Sequence, residues 1–148
     1  MRKHLFFSLF AIAFLVGCQT TPTGSATSIS SADISGPAAS AIAGDMAARF
    51  AEHAGPPGSS FKMEKESSEF SIALESALKG WGYTVVHANP SKLEAKGNKP
   101  TELSYFIGSE GGQVLARLST DKLALGRVYS LSNGSAAPVS PLSVMAFE

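Results

Sequence analysis

Apolar and polar positions alternate along this chain with periods that change from segment to segment. Leu5 to Val16 (LFFSLFAIAFLV) is an apolar run of 12 residues whose only hydroxyl is Ser8. At 1.5 Å per residue it is well short of the roughly 20 residues that span a bilayer, and it has the length of a signal-peptide core. From Ser35-Gly36-Pro37 the period becomes helical. Ile42, Met46 and Phe50 recur at i+4 with Ala39, Ala43 and Ala47 beside them, while Asp45, Arg49 and Glu52 fall largely on the opposite face. Ser35 suits the N-cap, and an early proline is tolerated there because its missing N–H has no helical partner to lose. Gly55-Pro56-Pro57-Gly58 stops this helix.

The next apolar spacing is two. Phe61-Lys62-Met63-Glu64-Lys65 reads as a short half-buried strand. Ser67 or Ser68 then caps a second helix in which Phe70, Leu74 and Leu78 recur at i+4, joined by Ala73, Ala77 and Trp81, and Lys79-Gly80 closes it. Tyr83 to Val86 is aromatic and β-branched and predicts a strand. Residues 88–100, rich in turn formers and lysine, predict a loop. Leu103–Ile107, Gln113–Ser119 and Leu123–Leu131 follow as three strands whose short connections make them antiparallel neighbours. From Asn133 the chain is dominated by Gly, Ser, Ala and Pro, with a small apolar patch at Val144–Phe147, and reads as a C-terminal tail. The expected domain is α+β: two helices on one face of a small, mostly antiparallel sheet, in the order α-β-α-β-β-β-β. Its boundaries are 36–132, with 133–148 as the tail.

Composition changes the picture at the N-terminus. Arg2 and Lys3 precede the apolar run, Leu15-Val16-Gly17-Cys18 ends it, and the polar stretch QTTPTGSATSISSADIS follows. Residues 1–17 therefore read as a signal peptide. Gly17 fits the peptidase pocket before the cut, and Cys18, the sole cysteine, resembles the acylated residue of a bacterial lipobox carrying diacylglycerol and palmitate-type chains. Acyl chains at about 0.8 kcal/mol per buried methylene make a durable anchor. Gln19 stands where an Asp would resemble an inner-membrane retention signal. That points to the outer membrane, with the domain facing the periplasm. Residues 18–35 lack aromatic residues and nearly lack charge; they predict a disordered tether.

The 12 Lys+Arg balance the 12 Asp+Glu, which argues against a nucleic-acid partner held by phosphate neutralisation. With a single Cys there is neither a disulfide framework nor a multi-thiolate metal site. His53 and His87 have no ligand partner at i+3 or i+4, and Asp33, Asp45 and Asp121 lie scattered over tether, helix surface and turn. Gly108–Gly112 (GSEGG) lacks the Lys-Ser/Thr that a phosphate loop needs and reads as a hairpin turn. Lys92, Lys96 and Lys99 read as a solvated loop. No catalytic constellation, cofactor, metal or small-molecule substrate is expected. Two other classes stay open. A lipid, glycan or peptidoglycan binder would line a pocket with Trp81, Tyr83 or Phe106, and an envelope enzyme would cluster polar groups around His53 or His87.

The stretch ISGPAASAIAGDMAARFAEHAGPPGSSFKMEK, followed by FSIALESALKGWGYTVV and preceded by a lipobox and Ser/Thr-rich tether, resembles the TrbH-type conjugal transfer lipoproteins. The resemblance implies an envelope component of a conjugative type IV secretion (mating-pair formation) apparatus. Its expected partners are other mating-channel proteins and the outer membrane. It brings no catalytic residues to carry over.

Overall fold

A computed structural model of the chain describes residues 29–30, 34–87 and 99–148. The expected signal peptide with Gly17, the expected lipidation site Cys18, most of the expected tether, Asp33, Lys92 and Lys96 lie outside the described residues. Helix α1 (Gly36–His53) buries Ala38, Ala39, Ile42, Ala43, Met46, Ala47 and Phe50, the stripe that the i+3/i+4 spacing predicts. Ser35 is its N-cap, and the Ser35 carbonyl accepts the Ala39 N–H at 2.8 Å. The Ser35 hydroxyl does not cap; it donates to the Gly134 carbonyl at 2.8 Å and so ties the helix start to a distant turn.

Strand β2 (Ser60–Met63), helix α2 (Glu69–Gly80) and strand β3 (Thr84–His87) form one strand–helix–strand unit. Ser68 caps α2, its Oγ accepting the Ser71 N–H at 3.2 Å, and Glu69 sits in the first turn. Gly82, at φ +87, takes the left-handed turn that lets its N–H reach the Lys79 carbonyl at 2.9 Å. Strand β4 (Thr101–Glu102) completes a small sheet of order β3-β2-β4. All its pairings are parallel. A helix crossover separates β2 from β3, and that connection allows parallel neighbours where a tight turn does not.

The larger sheet contains β1 (Ile29–Ser30), β5 (Ser104–Glu110), β6 (Gln113–Ser119), β7 (Leu123–Ser132), β8 (Ser135–Pro138) and β9 (Ser143–Ala146). The expected meander is β5-β6-β7, antiparallel throughout. One correction concerns residues 133–148, expected as a tail. They supply two strands: β8 pairs with Tyr129–Ser132 and β9 with Leu123–Gly126, so the two halves of β7 have different partners on one side. The reversal is made by Asn133 (φ 51) and Gly134 (φ 75), the paired left-handed residues of a two-residue hairpin turn. At the other edge, Ile29 and Ser30 pair in parallel with Phe106 and Ile107.

The inner face of this sheet presents Tyr105, Ile107, Val114, Ala116, Leu118, Leu125 and Tyr129, all buried. Helix α1 lies against it and against β8, with α2 packed on α1. One apolar core unites both sheets and both helices. Phe61 bridges Phe50 and Tyr83 edge-on, with ring centroids 5.1 and 5.2 Å away. Phe70 of α2 stacks obliquely on Tyr105 of β5 at 5.3 Å. The described helices include none long and apolar enough to cross a membrane.

Candidate functional site

Strand alternation puts Arg127 on the same face of β7 as Leu125 and Tyr129, pointing toward α1. A charge there needs a partner, because desolvating it unpaired is costly. Asp45 is that partner: Arg127 Nη1 donates to its two carboxylate oxygens at 2.9 and 3.2 Å. The Tyr129 hydroxyl donates to Asp45 Oδ2 at 2.6 Å. Arg127 Nε donates to the Ser140 carbonyl at 3.1 Å, and Ser140 Oγ accepts the Val128 N–H at 2.9 Å. Burial first, and then the hydrogen bond to Asp45, push the Tyr129 phenol well above the ordinary tyrosine range. The cluster clamps helix, sheet and the β8–β9 connection together. Its charges are already matched, which gives it the chemistry of a brace. The helical pattern alone placed Asp45 on the outward face. The signal that would have found the cluster was Arg127, an inward charge between Leu125 and Tyr129.

The residues expected to carry alternative chemistry are dispersed. His53 is exposed in the last turn of α1. His87 Nε2 lies 3.0 Å from Glu75 Oε2, and Lys79 Nζ lies 2.6 Å from Glu75 Oε1. The hydrogen bond from Lys79, helped by the nearby His87, holds the Glu75 carboxyl below its ordinary value against the opposing effect of burial. Trp81 is 51% exposed at the end of α2. Tyr83 is buried, with its hydroxyl donating to the Gly55 carbonyl at 3.0 Å, and burial raises its pKa. Phe106 lies on the opposite side of the large sheet from α1. Trp81, Tyr83 and Phe106 thus share no pocket. No three His, Cys, Asp or Glu side chains among the described residues converge on a metal position.

The outward face of the large sheet is different. Across it, Phe106, Arg117, Gly126 and Ser143 lie abreast on β5, β6, β7 and β9. The neighbouring rows bring Leu115 beside Val128 and Ala124 beside Met145. Arg117, Gly126, Ser143, Leu115, Val128, Ala124, Met145 and Pro141 line an open groove of about 310 Å³. Leu115 is 44% exposed and Met145 54%. Alternation along β6 turns Leu115 and Arg117 outward, but the groove also needs β9, where residues 133–148 were expected to form only a tail.

The domain is a two-helix α+β fold with a clamped interior and an open groove on the outer face of its larger sheet. Its relatives give it a setting. The family described as "Conjugal transfer protein TrbH" matches residues 20–148. A protein of Sinorhizobium fredii (strain NBRC 101917 / NGR234) with the name "Probable conjugal transfer protein TrbH" is 53% identical over 146 residues, covering 98% of each chain. No solved structure matches the chain. The chain belongs to the TrbH family of conjugal transfer proteins.

Proposed function

We propose that this protein is a lipid-anchored envelope component of a conjugative type IV secretion apparatus, held at the outer membrane through Cys18. There it docks on and stabilises a channel subunit. Full-length similarity to a probable conjugal transfer protein carries the reading. The Leu15-Val16-Gly17-Cys18 sequence supports the anchor, and Gln19 supports the outer-membrane destination. Periplasmic exposure of residues 36–148 follows from that anchor. The work is mechanical: the acyl chains restrict the domain to a plane, and its surface selects a protein already in that plane.

The test replaces Cys18 by Ser in donor cells, with transfer frequency, radiolabelled palmitate incorporation and membrane fractionation measured together. The expected outcome is loss of label, release from the outer-membrane fraction and a sharp fall in transfer. Normal transfer from an unlabelled, soluble protein would remove the anchoring role.

A further inference from the structure

Gly126 sits in the middle of β7, where glycine weakens a strand and commonly marks the close approach of another group. Its usual justifications are missing here. Its φ is not positive, and a Cβ built on it would meet only the Ala116 carbonyl oxygen, at an ordinary 3.9 Å. Nothing inside the fold requires the missing side chain. Its absence opens the groove floor between Arg117 on β6 and Ser143 on β9, its neighbours across the ladder. Leu115, Val128 and Met145 supply apolar walls.

Arg117 gives the groove its sign. Of the three described arginines, Arg49 and Arg127 are paired with carboxylates. Arg117 donates Nε to Ser119 Oγ at 3.2 Å and has no carboxylate partner among the described residues. The floor and walls around it carry no acidic side chain. A volume near 310 Å³, open on one side, is at the bottom of the range for whole small-molecule ligands and matches one large side chain better. The chain beyond Gly17 carries ten cations against twelve anions, which disfavours an anionic lipid surface as the occupant. Strand addition at β9 would engage only four residues.

We propose that the bare floor at Gly126 is an anchor socket for a partner polypeptide of the transfer apparatus. One large apolar side chain of the partner seats over Gly126, and a nearby carboxylate of the same segment pairs with Arg117. This deepens the docking reading above and rests on it.

The test uses Gly126→Val, Arg117→Glu and Leu115→Lys in the full-length protein. All three point away from the core, and valine favours a strand, so thermal unfolding should stay at or above the parent's. In donor cells each variant should accumulate normally and lower transfer by about tenfold or more, as loss of an interface anchor does. The purified, detergent-solubilised full chain is then applied to an array of short peptides tiling the other proteins encoded with it. Retained peptides should share an aromatic or leucine-sized residue close to Asp or Glu. Gly126→Val should abolish their retention, and Arg117→Glu should shift it to peptides with Lys or Arg in place of the acid.

Normal transfer by all three variants, where deleting the gene abolishes transfer, overturns the socket and leaves the docking reading standing. Normal transfer after the deletion itself removes the docking reading. Retention of peptides without an acid, a self-association that Gly126→Val disrupts, or Arg117-dependent binding to phosphatidylglycerol vesicles by the Cys18→Ser protein would each assign the groove elsewhere and overturn the proposal.

Discussion

The Tyr129 hydroxyl donates to Asp45 Oδ2 at 2.6 Å, joining two residues 84 positions apart in the chain. That carboxylate also takes two contacts from Arg127, and the two charged side chains are only 23% and 19% exposed. Removing Asp45 leaves a half-buried guanidinium and a buried phenol without their acceptor. Asp45→Ala should cost about 2–3 kcal/mol, below the range for a fully buried pair because some water remains. The double variant Asp45→Ala with Arg127→Met should cost less than the sum of the two single changes by about 1 kcal/mol. Urea midpoints at constant m-value measure both.

Alkaline stability should depend on the same phenol. Folding raises the Tyr129 pKa from its ordinary 10.0, so the neutral hydroxyl contributes fully below that value. The contribution fades as pH climbs through the folded value. Tyr129→Phe should lower stability by about 1–2 kcal/mol at neutral pH and flatten the decline above pH 10. Denaturation followed from neutral to strongly alkaline pH separates the two effects.

Glu75 acts in the opposite direction. Its carboxyl is held below the ordinary 4.5, chiefly by Lys79, so its contribution is present above that pH and is lost as pH falls through the folded value. The pair is near the surface, and Glu75→Gln should cost under about 1 kcal/mol. It should also weaken the acid-side dependence, read from unfolding midpoints between neutral pH and the acid transition.

The hairpin at Asn133-Gly134 should be sensitive at one position and tolerant at the other. Gly134→Ala places a Cβ on a left-handed residue at φ 75 and should cost about 1–2 kcal/mol. Asn133→Gly keeps a backbone that adopts φ 51 freely and should change stability by less than about 0.5 kcal/mol. Thermal unfolding of the two variants distinguishes a required turn from a dispensable tail.

Phe50 joins α1 to the ring stack with Phe61 and Tyr83, and is fully buried. Phe50→Ala should cost about 3–5 kcal/mol. Tyr83→Phe keeps the stack and loses only the hydrogen bond to Gly55, worth about 1 kcal/mol. Chemical denaturation measures both.

The helices were legible because burial repeats with the helical period: Ile42, Met46, Phe50 and Phe70, Leu74, Leu78 are all fully interior. The β5-β6-β7 meander was legible from short connections and from Val114, Ala116 and Leu118 alternating against polar or exposed neighbours. The parallel pairing of β2 with β3 was not, because a helix-length connection leaves the choice of strand partner to tertiary packing. The last two strands were hidden for another reason. Ser135–Pro138 has small side chains, and Ser143–Ala146 is exposed at every position, so neither shows an apolar alternation. The Asn-Gly pair at 133–134 was the available signal, and it is a strong one when strands flank it. Arg127 likewise announced an inward charge without naming Asp45, which only the tertiary fold brings within reach.

The division of β7 between two partners has a consequence for self-assembly. Cross-β growth needs a long, flat strip of unpaired backbone onto which identical chains can stack. Here β8 and β9 offer four residues each, and Pro138 brings no N–H to the former. At the far edge, β1 covers the middle of β5 and breaks its seven residues into shorter pieces. Among the described residues, no open edge runs longer than four. A concentrated solution of the folded protein is therefore expected to stay free of thioflavin-positive fibres, even with Met145 and Phe147 facing solvent.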